Sequence, residues 1–295
     1  MSIIQKISTS HNINNVNSKQ PLVSFIIPTL NSEHTLEKCL KSIRMQSYPF
    51  IEIIIIDGGS TDSTISIAKR YNTRIFKLVG PLGAARQLGF KYATGELIAN
   101  WDADIYIPHR DWLQGAVQTL LSNPNASTLW VFNVPPPNST AIQRAFFWYS
   151  WKMMLELAKR GLGFWGGGNS IFRRQAMEEV GGFNINIDTG EDFDLAKKLH
   201  LRGYKVIFYN DYVYHDTFRT LKEFLRKDIR RSKNFKYIGI NQAMGLSISI
   251  LFLEHIKILL EAITKFFKIR KYFFIYVPII IILRMLIYAI VFLFP

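Results

Sequence analysis

The feature that most constrains the fold of this chain is a regular alternation between short apolar runs and amphipathic stretches, which begins at Pro21. Short apolar runs are typical of buried strands, and apolar residues at helical spacing are typical of helices. The pattern predicts strands at 22–27, 51–56, 74–79 and 96–99, and helices from about 32, from about 62 and around 84–93. Because the strands are apolar on both faces, they predict an α/β fold with a mostly parallel sheet covered by helices on both faces.

Size and charge narrow the class of protein. With 295 residues, 48% of them hydrophobic, the chain can bury a core and predicts one large domain with an appendage. A net charge of +14 indicates an anionic partner, which is a nucleic acid, a phosphorylated small molecule or an acidic membrane surface. The single cysteine, Cys39, excludes an internal disulfide.

Composition divides the chain into four predicted segments. Residues 1–20 are rich in Asn, Ser and Ile and lack the apolar stretch of a signal peptide, so they predict a flexible tail and a following domain on the cytosolic side. Residues 21–218 form the main domain. Residues 219–243 have the basic and apolar faces of an amphipathic helix that would lie on an anionic membrane surface. Residues 244–295 form a hydrophobic, membrane-associated region.

The hydrophobic region contains two different stretches. Residues 245–267 predict an interfacial or re-entrant segment, because charged and titratable side chains interrupt them: Glu254, His255, Lys257 and Glu261. Residues 273–294 are long enough for about 33 Å of helix, have Arg284 as their only charge, and predict a transmembrane helix. The basic residues at 265–271 would stay cytosolic and leave Pro295 on the far side. The alternative is a hydrophobic helix packed on the domain.

Polar segments follow three of the predicted strands, where ligands bind in open sheets. They are Pro28-Thr29, 57–62 and 102–104. The carboxylates of Asp102 and Asp104 are hard oxygen donors that suit Mg²⁺ or Mn²⁺. In the 57–62 loop, Asp62 can cap the next helix, whereas Asp57 is well placed to accept hydrogen bonds from a nucleotide base or ribose.

Five motifs then occur in one order: VSFIIPTLN at 23–31, IDGGSTD at 56–62, Ala85-Arg86 with Gly89, ATGE at 93–96, and Asp102-Ala103-Asp104. Together they resemble the family 2 glycosyltransferases of the A-type fold, over residues 21 to about 214. The resemblance implies a nucleotide-sugar-binding half, an acceptor-binding half, and inversion at the anomeric carbon. The sequence departs from the family at Gln87, where asparagine is frequent, and at Gly59, where some members have a second aspartate.

The resemblance also implies the residues of the site. Nucleotide-sugar binding is expected at Pro28, Thr29, Asn31, Asp57, Asp62, Arg86 and Asp102. The expected metal ligands are Asp102, Asp104 and His215, and the acceptor side is expected at Gly167, Gly168 and Asn169. Within GEDFD at 190–194, Asp192 is the expected base and Glu191 the next candidate, although either carboxylate could instead be favoured by the helix dipole. His215 could instead be a polar surface residue.

These observations predict an inverting, metal-dependent glycosyltransferase at the cytosolic side of the cell membrane. Its partners would be a nucleotide-diphosphate sugar, a lipid-linked or lipid-phosphate acceptor and the membrane itself. One alternative is a sugar-phosphate nucleotidyltransferase, which would need a glycine- and lysine-rich loop where this chain has PTLN at 28–31. The other is a non-enzymatic basic protein that binds membranes or nucleic acid. The basic block beside the hydrophobic region fits membrane phosphate better, so no nucleic acid partner is expected.

Overall fold

One mixed sheet forms the centre of the protein. The computed structural model describes residues 20–159, 167–238 and 248–293, and the strands of these ranges join in the order β3-β2-β1-β4-β7-β6-β8-β5. The strands are β1 Val23–Thr29, β2 Ile51–Asp57, β3 Arg74–Lys77, β4 Leu97–Trp101, β5 Ile105–Tyr106, β6 Ala126–Val134, β7 Asn169–Arg173 and β8 Lys205–His215. The predicted tail at 1–20 lies outside the described residues, apart from Gln20.

The two halves of the sheet pair differently. In the first half β3, β2, β1 and β4 are all parallel, as the apolar runs predict. In the second half β7 lies antiparallel between β4 and β6, β6 pairs parallel with β8, and β5 pairs antiparallel with β8. The predicted α/β fold is therefore confirmed, and its sheet is mixed rather than parallel throughout.

Helices cover both faces of the sheet, as predicted. They are α1 Glu33–Arg44, α2 Thr64–Lys69, α3 Leu82–Tyr92, α4 Trp112–Leu121, α5 Ala141–Lys159, α6 Arg174–Glu179, α7 Glu191–Leu201, α8 Leu221–Ile238, α9 Ile248–Ile269 and α10 Tyr276–Leu293. Phe25 and Ile27 of β1 pack in one core with α1, α2 and α4. Ile26, which points the other way, packs in a second core with α3, α6 and α7.

A glycine allows α3 to lie close to the sheet. A Cβ atom on Gly89 would lie 2.3 Å from Cγ2 of Ile26, which is fully buried in β1. A contact this short requires one of the two elements to move, because the β-branched side chain has little rotamer freedom. The glycine of the sequence motif thus has a packing role, and α3 carries Arg86 into the site from this position.

The C-terminal helices pack against the main domain. A third hydrophobic cluster joins α5, α8, α9, α10 and a 3-10 helix at Tyr272–Ile275, which we call the C-terminal bundle. Its buried members include Ala145 of α5, Phe224 of α8, Ala262 of α9 and Ile280 of α10. Among the described helices, one stretch, Tyr272–Ile290, is long and apolar enough to cross a membrane. The predicted boundary between 243 and 244 lies outside the described residues.

Gly89→Ala should lower the free energy of unfolding by about 1–2 kcal/mol, because the overlap with Ile26 outweighs the roughly 1 kcal/mol that alanine gains in a helix. Chemical denaturation measures this change. In the Gly89→Ala background, Ile26→Ala should cost less than it does in the wild type, since it removes the clashing methyl group. Gly80→Ala is the control, because nothing lies within 4 Å of its Cβ position. Equal stability of Gly89→Ala and Gly80→Ala would contradict the packing role.

Candidate active site

The loop after β2 is organised by the carboxylate of Asp57. Its Oδ2 accepts hydrogen bonds from the backbone N–H groups of Gly59 and Ser60, both at 2.9 Å, and its Oδ1 accepts one from Ser60 Oγ at 2.5 Å. Thr29 Oγ1 at the end of β1 also donates to it, at 3.2 Å. Gly59 has φ +98°, which favours glycine. Asp57 is buried and shapes this loop, and its predicted contact with a nucleotide stays a prediction.

Asn31 and Asp62 connect this loop to two helices. The side-chain oxygen of Asn31 accepts a hydrogen bond from the N–H of Thr61 at 2.9 Å. Asp62 accepts from the N–H of Glu33, the first residue of α1, at 3.1 Å and from the N–H of Thr64 in α2 at 3.0 Å. The predicted capping role of Asp62 therefore extends to two helix starts. Pro28 is half-buried in β1, opposite Ile56 of β2.

Asp102, Asp104 and His215 form a cluster that could hold a metal ion. One potential ligand atom of each lies within 4.8 Å of the others. The two aspartates follow β4, and the antiparallel pairing of Ile105 with His215 brings the end of β8 beside them. His215 Nε2 is 3.2 Å from Asp104 Oδ1. Two carboxylates and an imidazole are a donor set that fits a divalent cation. The residues predicted as metal ligands are thus brought together.

A lysine of α8 already directs positive charge at this cluster. Lys227 Nζ lies 3.4 Å from Asp104 Oδ2 and 3.1 Å from Thr217 Oγ1. Burial alone would raise the pKa of Asp104, but the positive charge of His215 and Lys227 holds that pKa well below its usual range. The carboxylate is therefore kept ionised, the form that can bind a cation.

Arg86 connects the metal-site cluster to the acidic start of α7. Its side chain is 2% exposed, its Nη2 lies 2.5 Å from Asp102 Oδ1, and its Nε donates to Glu191 Oε1 at 2.7 Å. Its Nη1 donates to the side-chain oxygen of Asn100 in β4. With these donors directed at protein groups, Arg86 positions the two carboxylates, and its contact with a donor phosphate stays a prediction.

The two acidic residues at the start of α7 differ in their surroundings. Gly190, with φ +90°, turns the chain into the helix. Glu191 is buried against Arg86; burial and the charge of Asp192 raise the pKa of Glu191 to about 7, although Arg86 opposes this rise. Asp192 is half-buried and accepts a hydrogen bond from the N–H of Phe193 at 2.8 Å. Burial also raises its pKa. Because Arg86 pairs with Glu191, Asp192 is the better placed of the two to take a proton.

The glycine-rich segment before β7 lies directly against Asp102. The N–H of Asp102 donates to the carbonyl of Gly168 at 3.0 Å, and a Cβ atom on Gly168 would lie 2.0 Å from the carboxylate of Asp102. Asn100 Nδ2 donates to the carbonyl of Gly167 at 3.0 Å. Asn169 is buried and donates to the carbonyl of Val131. This segment closes one side of the site because only a hydrogen fits at Gly168.

Two residues of the site were not predicted from the sequence. Asn100 bridges Arg86 and the Gly167 carbonyl, and the signal for it was a polar residue inside the buried strand β4. Lys227 had no comparable signal, because it is one of several basic residues on α8 and only tertiary packing selects it. Gln87, noted as a departure from the family, accepts a hydrogen bond from the N–H of Phe183 at 2.8 Å and so supports the turn before α7.

Arg86→Met should lower the free energy of unfolding by about 3–5 kcal/mol, because it leaves buried carboxylates without their counter-charge. Arg86→Lys should lose less, since it keeps the charge without the forked geometry. Adding Glu191→Gln to Arg86→Met should restore part of the loss, because the amide is neutral. Arg70→Met is the control, as its pair with Glu37 is exposed and should contribute about 1 kcal/mol or less. Denaturant titrations of all four variants make the comparison, and an unchanged Arg86→Met would contradict the role of Arg86.

Comparison with known sequences agrees with this geometry. The model of the family described as "Glycosyl transferase family 2" matches residues 24–181, which is more than half of the chain. The chain is 29% identical to the glycosyltransferase AglE of Haloferax volcanii over 228 residues, which cover 73% of each protein.

Comparison with solved structures supports the same fold. The mannosyltransferase PcManGT from Pyrobaculum calidifontis, solved with GDP-Man and Mn²⁺, has a TM-score of 0.56 and 23% identity, covering 74% of this chain and 63% of that one. TarS 1–349 of S. aureus, solved with UDP-GlcNAc, has a TM-score of 0.52 and 19% identity, covering 75% and 68%. With the expected A-type fold confirmed and more than half of the chain matching the family model, the protein belongs to glycosyltransferase family 2.

Proposed function

We propose that this glycosyltransferase moves a sugar from a nucleotide-diphosphate sugar to a lipid-linked or lipid-phosphate acceptor, with inversion, at the cytosolic side of the cell membrane. The observation that carries the proposal is the convergence of Asp102, Asp104 and His215 within 4.8 Å, joined through Arg86 to the acidic start of α7. The complexes of PcManGT with GDP-Man and Mn²⁺ and of TarS with UDP-GlcNAc support the donor class.

Asp102, Asp104 and His215 are the residues that would hold Mg²⁺ or Mn²⁺. A bound divalent ion would supply positive charge against the departing nucleotide diphosphate. The donor atoms fit because the two carboxylates are hard oxygen ligands and the charge of Lys227 favours the ionised form of Asp104. Arg86 keeps Asp102 oriented toward this cluster.

The nucleotide part of the donor would bind along the ends of β1 and β2. The residues proposed to contact it are Pro28, Thr29, Asn31, Asp57, Asp62, Arg86 and Asp102. The first loop supports this assignment because hydrogen bonds to Asp57 and Asn31 fix its backbone before any ligand arrives. A prepared surface of this kind reduces the ordering that donor binding requires.

On the acceptor side, Gly167, Gly168 and Asn169 would form the wall of the cleft and Asp192 would act as the base. The acceptor oxygen attacks the anomeric carbon while the bond between that carbon and the diphosphate oxygen breaks, its electron pair leaving with the diphosphate. A hydroxyl acceptor gives its proton to Asp192, whose pKa is raised by burial and which is therefore a stronger base than an exposed aspartate. Arg86 commits Glu191 to positioning, so Glu191 is the second candidate.

The C-terminal bundle supports a membrane-associated acceptor. Its α9 and α10 expose large apolar side chains, among them Phe267 at 72% and Ile290 at 59%. Basic residues at 268–271 lie beside this surface, where anionic lipids would attract them. The nucleotidyltransferase alternative has less support, because the end of β1 and the loop after it read PTLN rather than a glycine- and lysine-rich sequence.

Asp102→Asn and Asp104→Asn should each reduce sugar transfer by roughly a hundredfold or more, because each removes a charged ligand of the proposed metal site. Transfer is measured with labelled nucleotide sugars, a lipid extract and Mn²⁺ or Mg²⁺, by following label into the organic phase. Excess chelator should stop the wild-type reaction. The control is Asp111→Asn, which removes an exposed carboxylate and should leave the rate unchanged. Full activity in chelator would refute the metal requirement, and no transfer from any donor would refute the function.

Asp192→Asn should distinguish the two acceptor classes, because only a hydroxyl has a proton to remove. With a lipid alcohol the variant should be slower by roughly a hundredfold or more, while nucleotide binding changes little. With a lipid phosphate, which is already ionised, the loss should be much smaller. Rates on matched lipid alcohols and lipid phosphates give the comparison, and Asp194→Asn on the same helix is the control. Near-normal transfer to a hydroxyl by the variant would shift the base to Glu191.

A further inference from the structure

The apolar helix α10 has two faces with different partners. Its exposed large apolar residues recur three or four positions apart, on one face: Ile275, Ile279, Ile282, Leu286 and Ile290, the first from the preceding 3-10 helix. The opposite face packs into the C-terminal bundle through Val277, Ile280 and Ile281, which are fully buried. The hydropathy of α10 is compatible with a helix that spans the membrane and with a helix that lies on its surface. The contacts of its buried face distinguish the two orientations.

An ion pair fixes the middle of α10 against α8. Arg284 Nε lies 3.2 Å from Asp228 Oδ2, and Arg284 Nη2 lies 3.1 Å from Asp228 Oδ1. Both side chains are buried, and Nη2 also donates to Tyr288 at 3.0 Å. A buried pair of this kind is strongly unfavourable to separate, because each charge would then be left without its partner.

The residue before Asp228 in α8 contacts the metal-site cluster, which consists of Asp102, Asp104 and His215. Lys227 precedes Asp228 and its Nζ lies 3.4 Å from Asp104 Oδ2, so two adjacent residues of α8 contact the metal-site cluster and the middle of α10. Among the other basic residues of α8 whose side chains the structure describes, Lys222, Arg226 and Arg230 are exposed and Arg231 is half-buried. Arg230 makes a two-point contact with Asp188, just before α7, at 2.8 and 2.9 Å. The packing of α8 therefore ties α10 to water-facing, charged parts of the domain.

A spanning orientation is incompatible with these contacts. Arg284 lies near the middle of the 272–293 segment, so spanning would put it about 15 Å from either edge of a hydrocarbon layer about 30 Å thick. Asp228 and Lys227 would then also lie within the hydrocarbon layer, together with the charged face of α8 and the edge of the active site. Charged groups at that depth are strongly disfavoured, and the substrates of the site are themselves highly charged.

The neighbouring helix α9 likewise has one face against the protein and one exposed apolar face. Its titratable residues Glu254 and His255 are buried toward the protein, where His255 Nε2 is 2.9 Å from the hydroxyl of Tyr149 in α5. Glu261 pairs with Lys152 of α5 at 2.7 Å. Its exposed face carries large apolar residues: Phe252, Leu253, Leu260, Ile263 and Phe267. Glu254, His255 and Glu261 therefore contact the protein, whereas Lys257 is 60% exposed beside the outward apolar residues and lies 3.1 Å from Glu254 Oε1.

We propose that α9 and α10 lie in the plane of one membrane leaflet, with their exposed apolar faces in the lipid and both ends of α10 on the side of the active site. The partner is a bilayer with anionic headgroups, which complements the exposed Lys268, Arg270 and Lys271 at the turn between the helices. Tyr272 and Tyr276 are exposed at this turn, and tyrosine side chains favour the headgroup region of a bilayer. The inference rests on the proposed membrane location and is independent of sugar transfer.

Depth measurements on the full chain distinguish the two orientations. Single fluorophores are attached at Ile275→Cys, Ile282→Cys and Ile290→Cys in a Cys39→Ser background, and quenched by lipids with spin labels at known depths in vesicles containing phosphatidylglycerol. In-plane helices place the three labels at similar shallow depths. A spanning helix separates the outer two by about 22 Å along its axis and puts the central one deepest. A label at Lys69→Cys, exposed on α2, is the aqueous control.

Protease protection tests the topology independently. Epitopes are placed before Met1 and after Pro295, and membrane vesicles from the expressing cells are prepared in inverted and in right-side-out form. In each type of vesicle the two epitopes should have the same fate: both digested or both protected. Digestion of one epitope with protection of the other would overturn the in-plane orientation and restore the spanning helix. A central label much deeper than the two outer labels would do the same.

Substitutions on the outward face test its contact with lipid. Ile282→Glu with Leu286→Glu should reduce vesicle binding roughly tenfold or more, while thermal stability and transfer to a water-soluble acceptor stay unchanged. Leu201→Glu is the matched control, because it charges an apolar residue that is 74% exposed on the main domain. Unchanged binding of the double variant would overturn the proposed surface. If the wild type fails to bind vesicles but transfers sugar, both the membrane location and this inference fail, and the proposed reaction stands.

Discussion

The buried guanidinium of Arg86 is the interaction on which the site depends. It contacts Asp102 after β4, Asn100 within β4 and Glu191 at the start of α7, so one side chain joins the parallel first half of the sheet to the second half of the domain. Two carboxylates this close to each other would repel without a cation between them. Arg86 reaches them from α3, which lies close on β1 because Gly89 has no side chain. The close helix packing and the electrostatics of the cleft therefore depend on the same element.

Helix α8 provides the second connection, between the cleft and the C-terminal bundle. Lys227 contacts Asp104, Asp228 pairs with Arg284, and Arg230 holds Asp188 just before α7. Successive residues of a helix point about 100° apart, so neighbouring residues can serve different surfaces at once. A shift of α8 would therefore move Lys227 relative to Asp104 and, at the same time, move the surface against which α10 packs. Lys227 and Arg230 thus have individual contacts in addition to any attraction to a membrane.

Local sequence patterns predicted the first half of the fold well, because the periods of buried strands and amphipathic helices are set by neighbouring residues. The structure has β1, β2 and β4 within a few residues of the predicted runs. His215 was expected as a metal ligand from the family resemblance, because its distance along the sequence from Asp102 and Asp104 gave no indication that the three would meet. Asn100 and Lys227 escaped prediction because their importance lies in contacts between distant segments. The antiparallel position of β7 between β4 and β6 likewise depends on contacts between distant segments, so no local sequence pattern predicts it.

Hydropathy failed to decide the orientation of 273–294 for a related reason. A window average counts apolar residues without knowing which of them face the protein, and α10 uses one side for the bundle and the other for its surroundings. Arg284 was a lone charge in the sequence, where it resembles a tolerated exception in a membrane span. In the structure it is the residue that fixes the register of α10, because Asp228 lies opposite it and both are buried. An apolar side chain at 284 could slide along α8 with little penalty, whereas a buried charge has to meet its partner. The residue that interrupts the hydrophobic pattern is thus the one that determines where the helix lies.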